Sequence, residues 1–228
     1  MRTQRQLIPL CAIALMLAGW VVPAFGAPKK PVPGQKAGNV SALLPVTKIV
    51  RGVGRAAVAT EAKKGDELVW NDLVRTEKGG RARITLTDQS ILSVGSQAEL
   101  RIVRHDARSR QTALQLTYGR MRAEVAHITR DGGRFEVRTP TAVAGVIGTD
   151  FGMISELAAT TFVCLAGAVD ISNIDPAVPG KVTCEPGQVA TVGQGKAPEK
   201  RPATQEELQK IIQDTEPALI SAPASRGR

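Results

Sequence analysis

Few residues of this 228-residue chain stand where catalytic chemistry would need them. Proton transfer calls for a carboxylate or histidine beside a second polar group that orients it. The acids come singly: Asp66, Asp72, Asp88, Asp131 and Asp175 each adjoin Gly, Asn, Gln or Pro, which is turn chemistry. Asp150 differs, because it follows the small-residue run from Ala142 to Gly148. It can act as a general base, and a wall hydrolase using Asp150 is the enzymatic alternative. The preferred reading is an acceptor for nearby backbone amides. No serine lies in a nucleophile elbow, and His105 and His127 lack a recognisable partner. Gly145 to Gly148 has neither the lysine nor the helix that a phosphate-cradling loop needs. Too few Cys and His are present for a zinc site. The expectation is no enzyme, with no cofactor and no metal. Cys164 and Cys184 can form one disulfide in an oxidising compartment, or remain buried thiols.

The elements that would carry these residues repeat with period two. Residues 81–87 alternate Arg, Ala, Arg, Ile, Thr, Leu, Thr, which puts Ala82, Ile84 and Leu86 on one face. Similar short runs are expected at 91–94, 100–104, 112–117, 121–125 and 134–138, with Tyr118-Gly119-Arg120 as a turn. They continue at 151–155, 160–165, 168–172, 181–184 and 189–192, punctuated by Gly and Pro. Pro140, Gly145 and Gly148 disfavour helix, so the small-residue segment is expected to be a strand or bulge where backbones approach closely. About ten short strands without long helices between them indicate an all-β fold, an antiparallel sandwich or jelly-roll-like roll. One short helix is expected at 204–214, where Thr204-Gln205-Glu206-Glu207 reads as a capping box. The three phenylalanines Phe135, Phe151 and Phe162 take inward positions, whereas Trp70 and Tyr118 lie near turns and could stack on sugars.

The N-terminus carries Arg2 and Arg5, then an apolar stretch from Leu7 to Val22, then Ala24 and Gly26. That pattern predicts a signal peptide over 1–26, cleaved between Gly26 and Ala27. Residues 27–45, rich in Pro, Lys and Gly, are expected to be a linker, 46–193 the folded domain, and 194–228 a polar tail. The chain is then periplasmic or secreted, with no transmembrane helix once matured. The net charge of +9, which becomes +7 without Arg2 and Arg5, would draw it toward anionic polysaccharide or lipid surfaces, or an acidic protein patch. Nucleic acid is excluded by compartment rather than by charge.

The segment Thr139-Pro140-Thr141-Ala142-Val143-Ala144-Gly145-Val146-Ile147-Gly148-Thr149-Asp150-Phe151 resembles the signature of the FecR (ferric-citrate regulator) domain, whose pattern is similar to "TPTAVAGVRGTEF". Gly65-Asp66 with Asp72 to Thr76, Gly80 to Leu92, Gly119 to Ala123, Gly167 to Ile171 and Pro186-Gly187-Gln188 resemble its other elements. Ile147 stands where the family usually has Arg, and Gln89 where it usually has Gly. The resemblance implies a protein-interaction or signalling module of the bacterial envelope. It does not imply the family's cytoplasmic sigma-factor-binding segment, because only residues 1–6 precede the apolar stretch. Binding of anionic cell-wall polysaccharide is the alternative function. Residues 142–150 are expected to be chiefly structural, with Gly145 or Gly148 in a conformation closed to other residues; a partner-docking surface is the alternative.

Overall fold

Alternation of apolar and polar residues is written into most of the strands, and it sorts them into two facing sheets. The structure, a computed structural model, describes residues 34–52, 54–126 and 132–216, all within the compact unit Pro31–Arg228. The expected signal peptide and its Gly26–Ala27 cleavage point lie outside the described residues. The strands are β1 (Lys36–Leu44), β2 (Thr47–Arg51), β3 (Val58–Glu61), β4 (Glu67–Val69), β5 (Leu73–Thr76), β6 (Arg81–Leu86), β7 (Ile91–Val94), β8 (Ala98–Asp106), β9 (Gln111–Glu124), β10 (Arg134–Arg138), β11 (Ala142–Val146), β12 (Asp150–Ser155), β13 (Ala159–Ala166), β14 (Val169–Asn173), β15 (Lys181–Cys184), β16 (Gln188–Gly193) and β17 (Glu199–Pro202). A single helix, α1 (Gln205–Thr215), follows among the described residues.

The first sheet runs β4–β1–β6–β7–β9–β12–β13–β16–β17. The second runs β3–β2–β5–β8–β9–β10–β11–β14–β15. Every pairing is antiparallel except β9–β10. The fold is all-β, and the core lies between the sheets. Ile84, Leu92 and Phe162 from the first pack in one cluster with Leu100, Leu114 and Phe135 from the second. Phe135, Phe151 and Phe162 are all fully buried.

Strand β9 belongs to both sheets. Its first half pairs with β8 and β10, and its second half with β7 and β12. This replaces the expected turn at 118–120: the chain bends there and continues as one 14-residue strand. Gly119 makes the bend possible. Its φ is +93°, and a Cβ there would lie 2.4 Å from the Cβ of Ala98, so a side chain is refused by both backbone and space.

Strands lie outside the expected 46–193 body. β1 falls in the stretch read as linker, yet it pairs with β4 and β6 and buries Ala37 and Val40. Its register slips between Val40 and Ala42, which breaks the alternation that would have announced it. β17 adds an exposed edge to β16. The count exceeds the expected ten because several strands are three or four residues long, too short to show a period.

The helix begins as the sequence indicated. Thr204 caps it, its side chain accepting from the Glu207 amide while the Glu207 carboxylate accepts from the Thr204 amide. The Arg201 guanidinium and the Thr204 amide hold the Glu207 carboxyl down at about 2. Ile211 is buried against Gly152, Val163 and Val189 on the outer face of the first sheet.

Candidate functional site

The segment 139–151 forms a corner that carries the chain from the second sheet to the first. Thr139 opens it: its hydroxyl oxygen accepts from the amides of Ala142 (2.9 Å) and Thr141 (3.3 Å). Thr139 and Thr141 each share a 2.7 Å hydrogen bond with the hydroxyl of Thr160 on β13. All three hydroxyls are buried, so this turn around Pro140 is pinned to the opposite sheet.

β11 then runs between β10 and β14. Ala142, Ala144 and Val146 point into the core, and Val143 and Gly145 point outward. Small inward side chains let the sheets pack closely here. Gly148, at φ +65°, takes the left-handed conformation that was expected of it or Gly145, and it makes the corner. Thr149 steadies the exit, its hydroxyl donating to the Ala168 carbonyl at 2.9 Å. Phe151 returns to the core.

Gly145 departs from the structural reading. Its φ is ordinary, and a Cβ there would meet nothing within 4 Å. It forms the floor of an open groove of about 370 Å³ on the outer face of the second sheet, with Val143, Ile147, Arg134, Asp170 and Lys181 around it. A second groove, sharing Val143, Ser172 and Lys181, continues it toward 175–180. Ile147 stands at its end with 64% of its surface exposed. The rim charges are paired: Arg134 and Arg138 both reach Glu136, and Lys181 meets Asp170 at 2.6 Å.

Asp150 does not act on backbone amides. Arg122 grips it with both nitrogens, Nε to Oδ1 at 2.8 Å and Nη2 to Oδ2 at 2.7 Å. The hydrogen bond to Asp150 raises the Arg122 guanidinium above its ordinary value, against the opposing effect of burial. With both oxygens engaged by a fixed cation, Asp150 is placed as an ion-pair partner across β9 and β12. Asp72 is likewise more than a turn residue: it is buried, and Arg51 holds it at 2.9 and 2.7 Å.

The remaining candidates are dispersed. His105 is buried in the core with both ring nitrogens 2.9 Å from hydroxyls, those of Thr112 and Thr87. Burial lowers its basicity, opposed by Asp88 and Asp106. Trp70, which the sequence left free to stack on a sugar, is buried and donates its indole N–H to the His105 carbonyl at 2.6 Å. Tyr118 is partly exposed. Among the described residues no three His, Cys, Asp or Glu side chains gather as a metal site would require, and no helix is long and apolar enough to cross a membrane. Cys164 and Cys184 are both buried and free.

Sequence reasoning missed the outer face of the first sheet. Register places Arg83, Ser93, Arg122, Gly152, Val163 and Val189 in one row across it. α1 lies on the apolar end. Its own last turn has no basic residue, and the sheet supplies them. Arg81 Nε donates to the Asp214 carbonyl at 2.9 Å, Arg83 pairs with Glu216 at 2.9 Å, and Arg120 with Asp214 at 3.4 Å. The alternating arginines of 81–83 and 120–122 were the available signal.

Residues 72–170, which span β5 to β14 and include the whole corner, match the family model described as FecR protein. Over these residues the chain is similar to the FecR family. Two solved structures of a candidate anti-sigma factor from Parabacteroides distasonis ATCC 8503, at 1.65 and 2.50 Å resolution, share the fold. Each is 16% identical, with a TM-score of 0.52, over 62% of this chain and 64% of theirs. The chain thus spans less than two thirds of the length of those relatives. No curated protein matches it.

Proposed function

We propose that this chain is a non-catalytic, exported protein-binding module of the bacterial cell envelope, and that it docks its partner on the groove above β11. The observation that carries this is the divided character of the signature strand. Its inward residues are consumed by the core, whereas Val143, Gly145 and Ile147 line an open outer groove and contribute nothing to packing. Gly145 lets a partner backbone approach the sheet. An isoleucine with 64% of its surface exposed supplies an apolar anchor. The partner is an extended protein segment with an apolar side chain to set beside Ile147. A FecR domain is consistent with a regulatory role, and the leader-like N-terminus with export.

The polysaccharide alternative has less support. Arg51, Arg75, Arg83, Arg122, Arg134 and Arg138 are each paired with a carboxylate. Their charge is largely compensated before any polyanion arrives. An enzyme using Asp150 would need that carboxylate released from Arg122.

Site-specific photo-cross-linking in the cell tests the proposal. A photoreactive residue at position 147 is expected to capture an envelope protein, and one on the α1 side of the molecule, at position 210, is not. Equal capture from both positions, or none from 147, would overturn it.

A further inference from the structure

The thiols of Cys164 and Cys184 come from different sheets and meet in the core. Cys164 faces inward from β13 in the first sheet, and Cys184 from β15 in the second. Neither has any exposed surface, and both belong to the cluster that fills the sandwich. The turn from β15 to β16 folds over the pair: the Gly187 amide donates to the Cys164 carbonyl at 2.9 Å, and the Cys184 thiol donates to the Gln188 carbonyl at 3.4 Å. The Gly187–Cys164 backbone bond holds this turn against β13 without the sulfurs.

We infer that Cys164 and Cys184 are joined by a disulfide that staples the two sheets of the mature protein. The oxidant is a disulfide-bearing thiol oxidant, protein or small molecule. One cysteine loses its proton, attacks a sulfur of that oxidant and expels one thiolate, leaving a mixed disulfide. The second cysteine, deprotonated in turn, attacks the mixed disulfide at the protein sulfur and expels the other thiolate. Two protein thiols become one S–S bond, and one oxidant disulfide becomes two thiols. The exchange belongs to the folding chain. In the closed core no oxidant reaches either sulfur, and Cys184, together with burial, pushes the Cys164 thiol far above its ordinary value.

The test is a non-reducing tryptic map of the full chain, refolded from the reduced, unfolded state in a glutathione redox buffer. Cleavage after Arg138, Lys181 and Lys196 puts Cys164 in peptide 139–181, Cys184 in 182–196 and Cys11 in 6–29. The expected product is 139–181 linked to 182–196, lighter than the two reduced peptides by two hydrogens. Reduction of the refolded chain is expected to lower Tm by roughly 10 °C. Free thiols or glutathione adducts at both positions in a cooperatively folded chain would overturn the inference, as would a link from either to 6–29. The readout involves no partner, so its failure is separate from failure of the docking proposal.

Discussion

Replacing Gly152 with alanine should loosen the C-terminal helix without harming the sandwich. Gly152 faces outward from β12, beneath α1, and a Cβ there would lie 2.0 Å from Ile211 Cγ1 and 2.9 Å from Cδ1. Something must move, and the flexible partner is the isoleucine. Overpacking of this kind costs about 1–3 kcal/mol. Ile211 is itself only 2% exposed, so Ile211→Ala alone removes three buried carbons at about 0.8 kcal/mol each, or about 2.5 kcal/mol. The atoms that clash in the first variant are the atoms deleted in the second. The double variant should therefore cost little more than Ile211→Ala by itself, a coupling of about 1–2 kcal/mol. Urea unfolding of the four proteins at constant m-value gives these energies, and hydrogen exchange over 205–215 localises the effect to α1. Costs that add to within about 0.5 kcal/mol would refute the reasoning, because residues in contact should not be independent.

The corner and the buried histidine yield two further expectations. Gly148→Ala should destabilise by about 1–2 kcal/mol, since Gly148 sits at φ +65°, and thermal unfolding measures it. His105 is neutral in the fold and titrates below its ordinary value of 6.5, because it is buried. The unfolded chain then binds the extra proton first. Its contribution to stability is fully present above pH 6.5 and is lost as pH falls through 6.5 toward the lower folded value, at no more than about 1.4 kcal/mol per pH unit. His105→Gln, which keeps hydrogen-bonding groups near Thr87 and Thr112, should flatten the Tm profile between pH 7.5 and 5.5. An unchanged profile would remove His105 as the source.

Much of the fold was legible because burial in a sandwich imposes period two. The runs at 91–94, 134–138 and 181–184 match strands to the residue, and the run at 81–87 overshoots β6 by one. The misses share a cause: local pattern does not record where a strand's partner lies. Gly119 looks like a turn in sequence, but it bends one strand from sheet to sheet. β1 carries a bulge within a Gly- and Lys-rich stretch, so composition outweighed its two buried side chains. The corner at 139–151 was found by its small residues, but which glycine bears strain depends on φ, and Gly145 and Gly148 are indistinguishable until the backbone is seen. In sequence Asp150 reads as an acceptor for backbone amides, because its partner Arg122 lies 28 residues away on a neighbouring strand. Gly152 drew no notice, since its meaning comes from Ile211, brought over it by a helix near the other end of the chain.

On the docking proposal, the outward side of β11 binds and does not build. Gly145→Val tests it most directly, because a Cβ at that position meets nothing within 4 Å and the side chain enters the groove. The measurement is cross-link yield from a photoreactive residue at position 147, in the wild-type and Gly145→Val backgrounds, alongside Tm for each. Docking in this groove predicts an unchanged Tm with capture reduced about tenfold or more, a loss of roughly 1.4 kcal/mol of binding. Full capture at unchanged Tm would contradict it, and so would a valine variant that unfolds, which would make Gly145 part of the scaffold after all.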